Sequence, residues 1–271
     1  MKINFIKTIE EKDIEALYLI TVIIIWQLVA DIVVHNNLLL PSFYDVIIAF
    51  FATVRSGQIF ADVLTSLLHF SIGIVAAFAI GIPLGIAMGW FKQANRAIDP
   101  LIKMLRLISP LAWIIFAILW IPFAILLFGL THEAVGFVVF VGTVFTIIIN
   151  TYSGFKNVHI VYAEAAEVPG CTRNIDLIHF IATPSALPSI IAGIRIATGV
   201  GWMCLVVAEY LMWGISTNGL GYQIGHNYYL HRMDYVFVYI LLLGLVGLFI
   251  DYFFRHYVDA KLLRSASGTA V

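Results

Sequence analysis

His69, Arg195, Glu209 and Asp251 each sit inside a long apolar run, and Asp31 lies near the end of another. Ionisable side chains in such surroundings are costly, so their default chemistry is a charge pair, a proton relay or an ion site. Arg195 and Asp251 read as a structural pair, since leaving either charge alone would be expensive, although Arg195 can also snorkel toward a polar interface. Glu209 lies 14 residues beyond Arg195, about 21 Å along a helix, so it cannot meet Arg195 and belongs near the opposite surface. That distance argues against a relay through these groups. His69, alone in an apolar stretch, reads as a hydrogen-bonded core residue.

A second group is polar and continuous. Residues 164–188 carry Glu164, Glu167, Arg173 and Asp176 between apolar neighbours, with a break at Pro169-Gly170. The pattern predicts two short helices, Val161 to Val168 and Asn174 to Ala182, with Asn174 as cap, Asp176 at the positive end and Pro184 closing the second. Ala165, Ala166 and Gly170 offer a low-relief surface to an approaching protein.

The elements that carry these groups follow from composition. The 271 residues are 62% hydrophobic and 11% charged, with a mean hydropathy of +0.99. Soluble domains carry about 25% charged residues, so this is a polytopic membrane protein. Six segments are long enough to cross a hydrocarbon core of about 30 Å: Leu17–Val34, Asp62–Trp90, Ile98–Pro122, His132–Thr151, Ala186–Trp213 and Tyr235–Val258. On that reading Lys2, Lys7, Lys12, Lys92, Arg96, Lys103, Arg106, Lys156, Arg173, Arg255, Lys261 and Arg264 share one side, against Arg55 and Arg232 on the other. Both termini and the loop around Glu164 to Pro184 are therefore expected in the cytoplasm, the chain being a multi-pass membrane protein. The N-terminus mixes charges and shows no small-residue cleavage site, so it reads as mature sequence.

Two pieces are expected outside the membrane. Ser42 caps an amphipathic helix that starts at Phe43 and lies along the interface. Gly214 to Asp234, with Tyr222, Tyr228, Tyr229 and His231, reads as an aromatic belt at headgroup level. Small residues recur every four positions at Gly73, Ala77, Gly81, Gly85 and Gly89, and again at Ser185, Ser189, Gly193, Ala197 and Gly201, a pattern for close helix packing. Phe116-Ala117-Ile118-Leu119 repeats as Phe123-Ala124-Ile125-Leu126. The seven added residues predict an overlong helix or a break at Pro122.

Several functions are disfavoured. No basic run suits nucleic acid, and no phosphate-binding loop, nucleophile elbow or zinc-protease motif is present, so ATP binding by this chain is not expected. Cys171 and Cys204 have no metal-ligand spacing. An intramembrane enzyme needs convergent Ser, His or carboxylate groups, and none converge by spacing. An ion-coupled secondary transporter needs midplane acids, for which Glu209 and Asp31 are peripheral.

Glu164-Ala165-Ala166 with Gly170 resembles the signature of binding-protein-dependent ABC importer permeases, Glu-Ala-Ala-x3-Gly followed nine residues later by Ile-x-Leu-Pro. The second half departs, because Pro184 stands one position late. Gly81-Ile82-Pro83-Leu84-Gly85, Ser109-Pro110-Leu111-Ala112-Trp113, Asn150-Thr151-Tyr152, Gly193-Ile194-Arg195, Val207-Ala208-Glu209 and Gly219-Leu220-Gly221-Tyr222 are similar to the nitrate, sulfonate and taurine branch. So are Leu40-Pro41-Ser42 and Asp251, and the likeness extends from about Leu39 to Arg264, the duplication interrupting it. The resemblance implies an all-α, type I importer-like permease, with residues 1–60 preceding a transmembrane domain at 61–258 and a tail at 259–271. It implies that Glu164, Ala165, Ala166, Gly170, Arg173 and Pro184, within a coupling loop at about 159–185, dock on separate ATPase subunits that hold ATP and magnesium. It further implies an external solute-binding protein and a second permease copy, in a homodimer. The solute is expected to be a small anion such as a sulfonate, taurine, nitrate or bicarbonate, a neutral or heterocyclic molecule remaining the alternative.

Overall fold

The structure is a computed structural model that describes residues 17–18, 20–128, 133–166, 177–178, 182–211 and 218–259. Among these residues every regular element is a helix. An apolar helix α1 (Ile20–Val34) ends in a π-turn and is followed by α2 (Phe43–Ser56), α3 (Gln58–Trp90) and α4 (Lys92–Leu105). Then come α5 (Pro110–Phe128), α6 (Glu133–Ala166), α7 (Thr183–Leu211), α8 (Leu220–Tyr229) and α9 (Met233–Phe253), the last continued by a π-turn to Asp259.

Local chemistry sets several of these boundaries. Ser42 caps α2 as expected, its hydroxyl accepting the Asp45 amide at 3.1 Å, which satisfies a donor that the first turn leaves unpaired. Gly57 then takes φ 77°, a left-handed turn open to glycine, and lets α3 start directly. Trp26 fastens α1 to this region: its indole N–H donates to the Pro41 carbonyl at 3.1 Å and its ring packs on Phe43 and Phe237.

The bundle is built round α6, of whose apolar window 61% is buried, against 33–39% for α3, α7 and α9. Its neighbours approach through the small-residue stripes. A Cβ added at Gly73, Gly85 or Gly89 would fall within 2.4–2.5 Å of Val139, Thr151 or Phe155 on α6. The matched order of these contacts makes α3 and α6 parallel. On the other flank Gly193 faces Asn150 and Gly201 faces Thr143, so α7 runs antiparallel to α6. Without side chains at these positions the backbones approach closely, and dispersion contacts replace the hydrophobic drive that lipid does not supply. Both stripes are packing surfaces, as their spacing predicts.

The third expected span, Ile98–Pro122, is broken. The axes of α4 and α5 differ by 91° across residues 106–109, where Ser109-Pro110 cannot continue a helix because the residue before proline is driven out of the helical region. The amphipathic α4, with Lys92, Arg96, Asp99 and Lys103, therefore turns away from the span direction. α5 runs without interruption from Pro110 to Phe128 and so does not break at Pro122. The described residues contain four helices long and apolar enough to span, a fifth if α4 and α5 count as one, and the shorter α1. The fourth expected span, His132–Thr151, and the short helix expected from Val161 are one element. α6 has 34 residues, about 51 Å, since residues 151–160 contain no proline.

Candidate functional site: a buried carboxylate latch and the α6–α7 connection

One end of the bundle is closed by a polar cluster with almost no exposed surface. Asp62, Ser66 and His69 lie on one face of α3 at i, i+4 and i+7, continuing the small-residue stripe toward the helix start, and all three are 0% exposed. Glu209, near the end of α7, is also fully buried. Its carboxylate accepts the Ser66 hydroxyl at 2.9 Å and the Gly221 amide at 2.9 Å, and contacts His69 Nδ1 at 2.9 Å. Asp62 accepts the Gly219 amide and the Gln223 side-chain amide, each at 3.2 Å, and the Tyr239 hydroxyl at 2.8 Å. Ser66 Oγ accepts the Leu220 amide at 2.8 Å.

These bonds have one geometric purpose. The first turn of a helix leaves its N–H groups without partners and carries a partial positive charge. In α8 the amides of Gly219, Leu220 and Gly221 go in turn to Asp62, Ser66 and Glu209, so two carboxylates and a hydroxyl from α3 and α7 cap a third helix. Gly219 adopts φ 134°, and a Cβ there would lie 2.8 Å from the Glu209 carboxyl group, while one at Gly221 would lie 2.5 Å from the Val206 carbonyl. Both glycines are required by the approach of α8 to the latch. Tyr239 ties α9 into the same cluster through Asp62.

The expected sites fall at both ends. Glu209 is near the end expected, but as the centre of a buried cluster, and the polar groups of α3 and α7 do converge, against the reading from spacing. His69 is a hydrogen-bonded core residue, as expected. Arg195 Nε lies 3.7 Å from Asp251 Oδ1, with side chains 40% and 54% exposed in the single chain, a loose pair of structural rather than chemical character. The segment Gly214 to Asp234 is not a superficial belt throughout: from Gly219 it turns inward and α8 buries Leu220, Gly221, Gln223, Gly225 and Asn227, leaving Tyr228 and Tyr229 exposed.

At the opposite end, Glu164, Ala165 and Ala166 close α6, and Pro184 is the second residue of α7, where a missing amide costs nothing. Gly170 and Arg173 lie outside the described residues. Thr183 Oγ1 donates to the Ile178 carbonyl at 2.7 Å, and Ala182 is buried with Phe155, Ala186 and Ile190 beside Trp90. The connection thus joins the ends of the two helices at the middle of the bundle. Among the described residues no group of three or more His, Cys, Asp or Glu side chains could hold a metal ion.

Residues 81–262 match the family described as binding-protein-dependent transport system inner membrane component. The chain belongs to this family. The permease is 36% identical over 241 residues to a putative ABC transporter permease of Methanocaldococcus jannaschii, covering 88% of this chain and 86% of that one. It is 34% identical over 195 residues to the bicarbonate transport system permease CmpB of Synechococcus elongatus, covering 72% and 66%. It is 30% identical over 243 residues to SsuC of Bacillus subtilis, a putative aliphatic sulfonates transport permease, covering 90% and 84%. Its fold matches a chain of the inward-facing MetNI methionine ABC transporter with a TM-score of 0.61 at 18% identity, over 78% of the permease and 97% of that chain. The permease therefore has the type I importer-like architecture and is a multi-pass transport subunit.

Proposed function

We propose that the permease forms the translocation pathway of an importer driven by separate ATPases, and that residues 164–184 are the docking element. The observation that carries this is the position of that segment: it joins α6, the central helix, to α7, its antiparallel neighbour. A push there acts on both central helices together, which suits rigid-body switching. Glu164, Ala165, Ala166, Gly170, Arg173 and Pro184 are the contact residues in this reading. The ATP and magnesium belong to the ATPases, a second permease copy completes the pathway, and an external binding protein delivers the solute. Both termini lie in the cytoplasm, following the excess of Lys and Arg on that side.

The solute is a small oxyanion of the sulfonate or carbonate type. The names of the SsuC and CmpB relatives support this class. The test is uptake into vesicles holding the permease, the ATPase and the binding protein encoded beside it, offered radiolabelled alkanesulfonate, bicarbonate or nitrate. ATP-dependent uptake of one of them, lost in Gly170→Trp while ATP hydrolysis persists, is the expected result. Uphill uptake by the permease alone, or normal uptake by the Gly170→Trp protein, would overturn the docking reading.

A further inference from the structure

Against the latch lies a groove of about 250 Å³ between α2, α8 and α9, lined among others by Thr53, Gln223, His226, Asn227, Arg232 and Tyr235. Its floor is rich in acceptors. Gln223 and Asn227 are one turn apart on α8 and only 3% and 6% exposed. Gln223 Nε2 donates to Asp62, and Asn227 Nδ2 donates to the Gln223 backbone carbonyl. Their side-chain oxygens, Oε1 and Oδ1, have no partner among the described residues. Asp62 stands directly behind, held by Gln223 and Tyr239.

The rim has the opposite sign. Arg232 is exposed and lies 4.0 Å from the Tyr235 ring centroid, and no carboxylate pairs with it among the described residues. Tyr235, beside Arg232, and Tyr239, bonded to Asp62, are four residues apart on α9, about 6 Å along its axis. A lone anion would face two carbonyl oxygens and a buried carboxylate, and a lone cation would face Arg232.

We propose that this groove binds a short zwitterion, its ammonium group donating to Gln223 Oε1 and Asn227 Oδ1 and its sulfonate, phosphate or carboxylate held by Arg232. The inference does not depend on which solute is carried. The same chemistry is present in a free amino acid or aminosulfonate and in a phosphatidylethanolamine headgroup, so the test separates them. The full chain is placed in phosphatidylglycerol nanodiscs without ATPase or binding protein and titrated with 2-aminoethanesulfonate and 3-aminopropanoate, with ethanesulfonate and ethylamine as single-ended controls. A second set of nanodiscs contains phosphatidylethanolamine.

Saturable binding of either zwitterion is expected, with both controls weaker by about ten-fold or more, and Arg232→Gln, an exposed change that leaves the fold intact, is expected to lower affinity by a similar factor. Competition by phosphatidylethanolamine, or its selective retention where the soluble zwitterions do not bind, assigns the site to the headgroup; soluble binding unaffected by that lipid assigns it to a free molecule. Binding of ethanesulfonate as tight as that of the zwitterions, indifference to Arg232→Gln, or no binding of either source overturns the proposal. Uptake by the complete importer is measured separately, so failure here leaves the transport reading untouched.

Discussion

Glu209 on α7 and Gly221 on α8 meet at 2.9 Å through a buried carboxylate–amide hydrogen bond, and this contact sets how the short helix enters the bundle. The carboxylate also serves Ser66 and His69, so one side chain joins three helices. Its replacement has a defined consequence. In Glu209→Gln the charge is lost and one carboxylate oxygen becomes an NH2 donor, which weakens the bonds to the Gly221 amide and the Ser66 hydroxyl. A destabilisation of about 1–3 kcal/mol is expected, larger for Glu209→Ala. Thermal unfolding of the purified permease checks this, and an unfolding midpoint unchanged in both variants would remove the latch from the account.

The two glycines at the latch give a sharper test because they separate backbone conformation from packing. Gly219→Ala places a side chain at φ 134° and within 2.8 Å of the Glu209 carboxyl, and Gly221→Ala meets the Val206 carbonyl at 2.5 Å. Each is expected to cost more than about 1 kcal/mol, by strain at the first and by displacement of α8 at the second. Gly244→Ala is the control, since nothing lies within 4 Å of its added Cβ, and it is expected to leave the unfolding midpoint unchanged. Equal effects at all three positions would count against the geometry.

Close packing of α3 on α6 predicts a graded series. Gly85→Val must displace Thr151, whose Cβ would stand 2.5 Å from the new atom, whereas Gly199→Val enters open space. The first is expected to lower membrane yield and stability by about 1–3 kcal/mol, and the second to be near neutral. Quantifying folded protein extracted from membranes by fluorescence-detected gel filtration distinguishes the two.

Much of this architecture was legible in the residues. Four-residue spacing of small side chains marked the α3 and α7 faces that bury against α6, and Ser42 marked the start of α2, because both signals act locally. The latch was not read, although one trace existed: Asp62, Ser66 and His69 extend the stripe of Gly73 to Gly89 at the same helical phase. Their partners are Glu209 and the amides of Gly219 and Leu220, 140 or more positions away, and the pairing depends on how α8 folds back. Backbone amides leave no mark in a sequence. The break between α4 and α5 was carried by Ser109-Pro110 but was obscured by the continuous apolar composition around it, which resembles an unbroken span. The reading of the α6–α7 connection as a docking element rests on its motif rather than on geometry.

The antiparallel contact of α6 and α7 makes a direct chemical prediction. A Cβ at Gly142 would lie 3.3 Å from Cys204 Cβ and 2.6 Å from its sulfur, close to the Cβ separation of about 3.8 Å found in disulfides. Gly142→Cys in a Cys171→Ser background is therefore expected to cross-link to Cys204 under mild oxidation, seen as loss of maleimide labelling that dithiothreitol restores. The Cβ positions are slightly closer than a relaxed disulfide requires, so the bond forms with a shift of a few tenths of an ångström between α6 and α7. If the two helices move as one unit during transport, the oxidised protein retains at least about half of its ATP-driven uptake; abolition of uptake, reversed by reduction, would show that α6 and α7 slide against each other, which contradicts the proposal that a push at their connection moves both together.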